Sequence, residues 1–215
     1  MKKFKALLVV ACALLLVAAS VFGTMAYLMS TDTVTNTFTV GKVEIKLDEA
    51  KANPDGSLVA NAERVKANEY KLLPGHTYNK DPMVTVLNGS EPSYVKMTVT
   101  FSKANELDAI FAPNGANLIN IFNGYDAASW IAKGNTKDTT ANTRTYEFWY
   151  KDAVGAPTAD VALDALFDSI TVPGTITGEQ LATIADMTIT VNAYAIQADG
   201  FANATAAWEA FTPNP

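Results

Sequence analysis

The sequence predicts an all-β fold: an antiparallel, jelly-roll-like β-sandwich with short inserted helices, preceded by a signal segment that is cleaved. Three observations predict it. β-branched and aromatic residues alternate with polar ones in successive runs beyond residue 33, Pro-Gly and Asn-Gly pairs separate those runs, and helix-period patterns are confined to segments of eight or nine residues. With 215 residues, 49% hydrophobic and 18% charged, the chain can bury a sizeable core as one domain, so residues 27–215 are read as a single unit.

The first element is the export segment. "MKKFK" carries Lys2, Lys3 and Lys5, and Ala6 to Gly23 follow as eighteen residues without a charge. Eighteen apolar residues would just cross a bilayer, so length alone fits both a signal and a membrane span. The flank decides: Thr24 and Ala26 place small side chains three residues and one residue before a junction at Tyr27, in an A-x-A-like pattern, and no basic cluster follows to stop transfer. Residues 1–26 are therefore read as a signal peptide cut after Ala26, with membrane contact only through the uncleaved signal. Cys12, in "VVAC", faintly matches a lipoprotein box, but a cut there would leave "ALLLVAASVFG" on the product after only six preceding apolar residues. A mature chain from Tyr27 has no cysteine and hence no disulfide.

Losing the signal removes three of 16 basic side chains and leaves all 22 acidic ones, a net charge of about −9. That surface excludes nucleic acid as a partner, because phosphate binding needs Lys and Arg clusters, and it disfavours anionic lipid.

The strands follow in order. Val34, Asn36, Phe38 and Val40 alternate with Thr33, Thr35, Thr37 and Thr39, and beyond Gly41 the phase continues as Val43, Ile45 and Leu47. That is one long strand broken at the glycine, or two short ones. Further strands are expected over 83–87, 93–102, 143–151, 169–172 and 186–198, with turn signals at Pro74-Gly75, Asn88-Gly89, Pro113-Asn114-Gly115 and Pro173-Gly174. Short helices are expected over 104–112, over 177–184 starting at a Thr, and over 203–211 capped by Asn203.

Chemistry is sparse. His76, the single histidine, follows a Pro-Gly turn and reads as a turn residue, and no HExxH motif, second histidine or later cysteine accompanies it. "NPDGSL" begins like a calcium loop, but the twelfth position from Asn53 is Arg64 where a glutamate is needed, so a β-turn is expected. "YEFWY" puts Tyr146, Phe148 and Tyr150 on one strand face and Trp149 on the other, a packing pattern more than a sugar platform. No catalytic residue, metal ligand or cofactor is assigned, and no enzyme activity is expected.

"GTMAYLMSTDTVTNTFTVGKVEIKLDE", "LLPGHTYNKDPMVTVLNGSEPSYVKMTV", "ITVNAYAIQADGF" and "AAWEAF" together resemble the TasA/camelysin family of exported Gram-positive proteins. The first stretch is the most specific, being similar to signals processed by a dedicated SipW-type signal peptidase. The resemblance implies a jelly-roll protein secreted to the extracellular matrix or cell surface, polymerising with itself, and with other matrix subunits, into biofilm fibres. It implies that the N-terminal segment of one mature subunit completes the sheet of the next. Residues 27–40 are then the candidate donor strand, with Val34, Asn36, Phe38 and Val40 as the row entering the acceptor; pairing of the same stretch within its own subunit is the other reading. Camelysin members are described as surface metalloproteases, yet no zinc motif here can carry that role. The two alternatives are a cell-surface metalloprotease of the camelysin type and a wall-associated adhesin.

Overall fold

The computed structural model describes residues 2–26, 40–111 and 122–211, with side chains in the first stretch described to Leu16. They fall into two compact units, Met1–Val40 and Gly41–Pro215. In the first unit, helix α1 spans Lys2–Ala26, a segment rich in Leu, Ala and Val and without proline. Thr24 and Ala26 lie in its last turn. Tyr27, Val34, Asn36 and Phe38 lie outside the described residues. Among the described residues, no helix is long and apolar enough to cross a membrane.

The second unit contains, in order, β1 (Ile45–Asp48), β2 (Thr77–Asn79), β3 (Met83–Val86), β4 (Ser93–Ser102), α2 (Ala104–Phe111), β5 (Phe122–Asn123), β6 (Trp130–Asp138), β7 (Thr143–Tyr150), β8 (Val161–Ala162), β9 (Ser169–Thr171), α3 (Gly178–Thr183), β10 (Ile189–Gln197) and α4 (Ala204–Ala210). Every strand pairing is antiparallel. The strands form one sheet of four, ordered β10-β4-β7-β6, and two sheets of three, β1-β3-β8 and β2-β9-β5.

All three sheets face one core. Along β4 every second residue is buried, so Val95, Met97, Val99 and Phe101 project inward while Thr98 and Thr100 face away. Across the ladder Tyr146 and Phe148 of β7 extend the same face, and the small sheets add Val84, Val86, Tyr78, Ile170 and Phe122. Phe122 stacks on Phe167 with ring centroids 4.2 Å apart. The expected all-β, antiparallel architecture with short helices is what the chain forms.

The turns follow their residues. His76 N–H donates to the Leu73 carbonyl at 3.3 Å, with Gly75 at φ +76°, so Pro74-Gly75 makes the expected turn. At Asn53–Gly56 the Gly56 N–H donates to the Asn53 carbonyl; a Cβ at Gly56 (φ +88°) would lie 2.7 Å from the Thr77 carbonyl oxygen, which demands glycine. The Pro113-Asn114-Gly115 signal lies outside the described residues.

The helices are capped and tied by side chains. Thr177 caps α3 in a capping box whose partner is Gln180, and Asn203 caps α4 by accepting from the Ala206 N–H at 3.0 Å. On α2, Asp108 holds Lys137 of β6 and Arg144 of β7, each at 2.7 Å. α4 covers the outer face of the four-stranded sheet: Trp208 lies against Trp149 of β7, and Lys96 Nζ of β4 sits 4.7 Å from the Trp208 ring centroid.

Candidate functional site

The two edges of the four-stranded sheet are built from different residues. β6 carries Lys133, Lys137 and Asp138 and breaks register between Ala132 and Gly134, the charges and bulge that keep an edge strand from pairing further. β10, "ITVNAYAIQ", has no charge and no register break along its nine pairs with β4, from Ile189 opposite Phe101 to Gln197 opposite Ser93. Among the described residues no strand pairs with its other edge.

A groove of about 880 Å³ opens beside the start of β10, lined chiefly by Tyr70, Leu72, Tyr78, Leu181, Met187 and Ile189. A smaller recess of about 360 Å³ continues from Ile189 past Thr190 and Val191, with Leu47 of β1 also on its wall. Both share Asn68, Lys80 and Ile189, so the concavity runs along the first three residues of β10. The tyrosines' polar ends are tied back: Tyr70 Oη donates to the Asn79 carbonyl at 2.6 Å and Tyr78 Oη to the Lys71 carbonyl at 2.7 Å. Their rings meet edge-on at 5.5 Å and present hydrocarbon to the groove. Burial, reinforced by the charge of Glu49, pushes the Tyr70 phenol well above its ordinary range, so it stays neutral.

A polar framework holds the opposite wall, because residues 49–76 contain no regular strand or helix and need side-chain ties. Arg64 Nε donates to Asp48 Oδ1 at 2.5 Å, and its Nη1 to Asp81 Oδ2 at 2.7 Å. Burial pushes the Asp48 carboxyl up, but hydrogen bonds from Lys46 and Arg64 outweigh it and leave Asp48 below the usual carboxylate value. Next to it Lys80 Nζ meets Glu49 Oε2 at 2.5 Å, and Asn68 Nδ2 donates to Glu49 Oε1 at 2.9 Å.

Of the candidate donor row only Val40 is described. It is 98% exposed and lies outside any strand, and β1 begins at Ile45, so the alternation from Val40 through Val43 is not strand in this chain. His76 is exposed, with its backbone carbonyl accepting from Val172 N–H at 2.9 Å. Asp55 accepts from the Ser57 backbone N–H and hydroxyl, as a turn aspartate does. Among the described residues no three His, Cys, Asp or Glu side chains are grouped to hold a metal. Tyr146 and Phe148 are core, Tyr150 packs edge-on against Trp130 at 5.0 Å, and Trp149 lies beneath α4.

Ser93-Tyr94-Val95-Lys96 has the S-x-x-K spacing of a nucleophile and its base. On a strand that spacing puts the two side chains on opposite faces: Ser93 is fully buried, whereas Lys96 lies among Tyr194, Trp208 and Phe211. The pair cannot cooperate. The arrangement at β10 is suited to holding an extended peptide: main-chain groups along the edge, an apolar groove at its start, and a polar recess beside Thr190 and Val191.

The chain matches no family model, no curated protein and no solved structure.

Proposed function

We propose that this protein is a secreted structural subunit of an extracellular matrix, a jelly-roll sandwich of the TasA/camelysin type that polymerises by donating residues 27–40 to the β10 edge of a neighbouring copy. The observation that carries this reading is the nine-residue, uncharged β10 edge, whose start at Ile189 borders an apolar groove. Such an edge is a template for pairing unless something covers it. The part of the donor that alternates, Thr33 to Val40, carries no charge, and Asp32 is the one charged side chain of residues 27–40. The donor is matched in length: fourteen extended residues span about 45 Å and a nine-residue edge about 30 Å. Val34, Asn36, Phe38 and Val40 would enter the groove as one row, and cleavage after Ala26 by a SipW-type peptidase would free the segment from its signal. The chain needs no cofactor or catalytic residue for this role.

Negative-stain imaging and sedimentation of four proteins starting at Tyr27 test it: wild type, a deletion of 27–40, Phe38→Asp and Thr37→Asp, each first shown to be folded by circular dichroism. Filaments are expected from wild type, milder loss from Thr37→Asp, and folded monomers from the deletion and from Phe38→Asp, because an aspartate in an apolar groove costs several kcal/mol. Normal filaments from Phe38→Asp would overturn the donor assignment.

A further inference from the structure

We propose that Lys80 and Asn68 become joined by an intramolecular amide bond, formed in the folded protein with Glu49 as its catalytic residue. Three segments distant in sequence bring these side chains together: Glu49 follows β1, Asn68 lies in the irregular stretch before β2, and Lys80 follows β2. Lys80 and Glu49 are both buried, at 8% and 6% exposure. One carboxylate serves both reacting nitrogens, with Lys80 Nζ 2.5 Å from Oε2 and Asn68 Nδ2 2.9 Å from Oε1. The carbonyl end of the Asn68 amide is also engaged, since its Oδ1 accepts the Ala52 backbone N–H at 2.8 Å.

Each contact matches a step of amide exchange. Proton transfer from Lys80 Nζ to Glu49 within the pair yields an amine and a carboxylic acid without change of net charge. The amine lone pair attacks Asn68 Cγ, forming the new C–N bond, and the electron pair displaced onto Oδ1 is met by the Ala52 N–H, an oxyanion donor already in place. Glu49 returns its proton to Nδ2, the Cγ–Nδ2 bond breaks and ammonia leaves. As the carbonyl reforms, Nζ gives its second proton to the same carboxylate, which passes it to the departing ammonia. The sum is lysine ammonium plus asparagine amide giving a secondary amide plus ammonium, with Glu49 regenerated and no oxidant or outside reactant. All three side chains line the recess beside β10, which gives ammonia a way out.

The bond would fasten the irregular wall of the groove to the end of β2, a covalent tie in a chain whose only cysteine is Cys12. It does not depend on polymerisation and is tested separately from it. Intact-mass spectrometry of the purified protein, with its N-terminus defined by sequencing, is expected to show a mass lower than that of its sequence by one ammonia. Tryptic mapping with tandem fragmentation should recover residues 67–71 joined through Asn68 to residues 72–96 through an uncleaved Lys80. Glu49→Gln is expected to restore the full mass and the separate peptides. A wild-type protein at full sequence mass would overturn the proposal. So would an ammonia loss with Asn68 and Lys80 in separate peptides, which is cyclisation at Asn68 alone. A bridged peptide at wild-type yield in Glu49→Gln would overturn the role given to Glu49.

Discussion

Ile189 of β10 lies directly opposite Phe101 of β4, yet Phe101 is fully buried and Ile189 only partly so. The two share a face and a register position, so the difference comes from their neighbours. β4 is flanked by β10 and β7; β10 is paired with β4 on one side only, and its start borders the groove and the recess it shares with β1. Val191, opposite the fully buried Val99, repeats the pattern. Apolar side chains left half-covered along an uncharged edge are surface that a further strand would bury, at about 25 cal/mol per Å².

Val191→Asp should therefore separate folding from assembly. Because Val191 is only partly buried in the free subunit, the substitution should cost about 1–2 kcal/mol of folding stability. Against an incoming strand the carboxylate would be desolvated, so filament yield should fall about tenfold or more. Asn192→Asp, on the exposed opposite face, is the control and should assemble nearly as wild type does. Urea titration and pelleting of filaments measure the two effects; filaments from Val191→Asp at wild-type yield would remove β10 as the acceptor.

Much of this fold was legible, and the misses share a cause. β4 occupies 93–102 as its alternation predicts, because both its neighbours are strands and its inward row meets the core. β6 gave no signal: "WIAKGNTKD" buries Trp130 and leaves most of the rest exposed, so the strand is held by its pairing with β7 and not by a hydrophobic row. β2, β5 and β8 have two or three residues each, too few to show a period. β10 starts at Ile189 and not at 186 because Asp186 adopts φ +59°, a turn conformation that ends the loop after α3. The meeting of Glu49, Asn68 and Lys80 is long-range, so no local pattern in the sequence marks it. The groove is hidden for the same reason, its walls coming from residues as far apart as Tyr70, Ile170 and Ile189.

The signal assignment rests on two small side chains, and one of them can be blocked. Ala26→Asp places a charged, larger group where the peptidase requires a small one. Secreted protein should drop at least about tenfold, with the uncleaved chain recovered in the membrane fraction. N-terminal sequencing of wild-type secreted material should begin at Tyr27; a start well downstream would overturn the junction.

Arg64 is one of the ties of the irregular wall, bonding Asp48 and Asp81 at once. Arg64→Ala leaves the Asp48 side chain, 3% exposed, with Lys46 as its remaining cation. A loss of about 2–3 kcal/mol is expected, below that of a fully orphaned buried charge. Arg64→Lys should recover little, since an ammonium cannot bond both carboxylates and both carbonyls at once. A urea midpoint for Arg64→Ala equal to wild type would show that the network carries no stability.

Acid should find the same network from the other side. Asp48 and Asp108 each feel burial pushing their carboxyls up, but hydrogen bonds and charges from Lys46 and Arg64, and from Lys137 and Arg144, prevail, and both fall below the ordinary value of 3.8. A carboxylate with a lower pKa in the folded than in the unfolded chain binds fewer protons when folded. Its contribution to stability is thus fully present above the unfolded value and is lost as pH falls through the folded one. Stability should be level from about pH 7 to pH 5 with respect to these two groups and decline below pH 3.8. Asp108→Asn isolates one of them: it should lower the thermal midpoint clearly at pH 6, and its curve and that of wild type should draw together as pH falls below 3.8, because the carboxyl it replaces becomes neutral as pH passes its lowered folded-state value. A gap between the two proteins that does not narrow at all as pH falls from 6 to the acid unfolding of wild type would mean that the ion pairs tying α2 to β6 and β7 contribute shape and not charge.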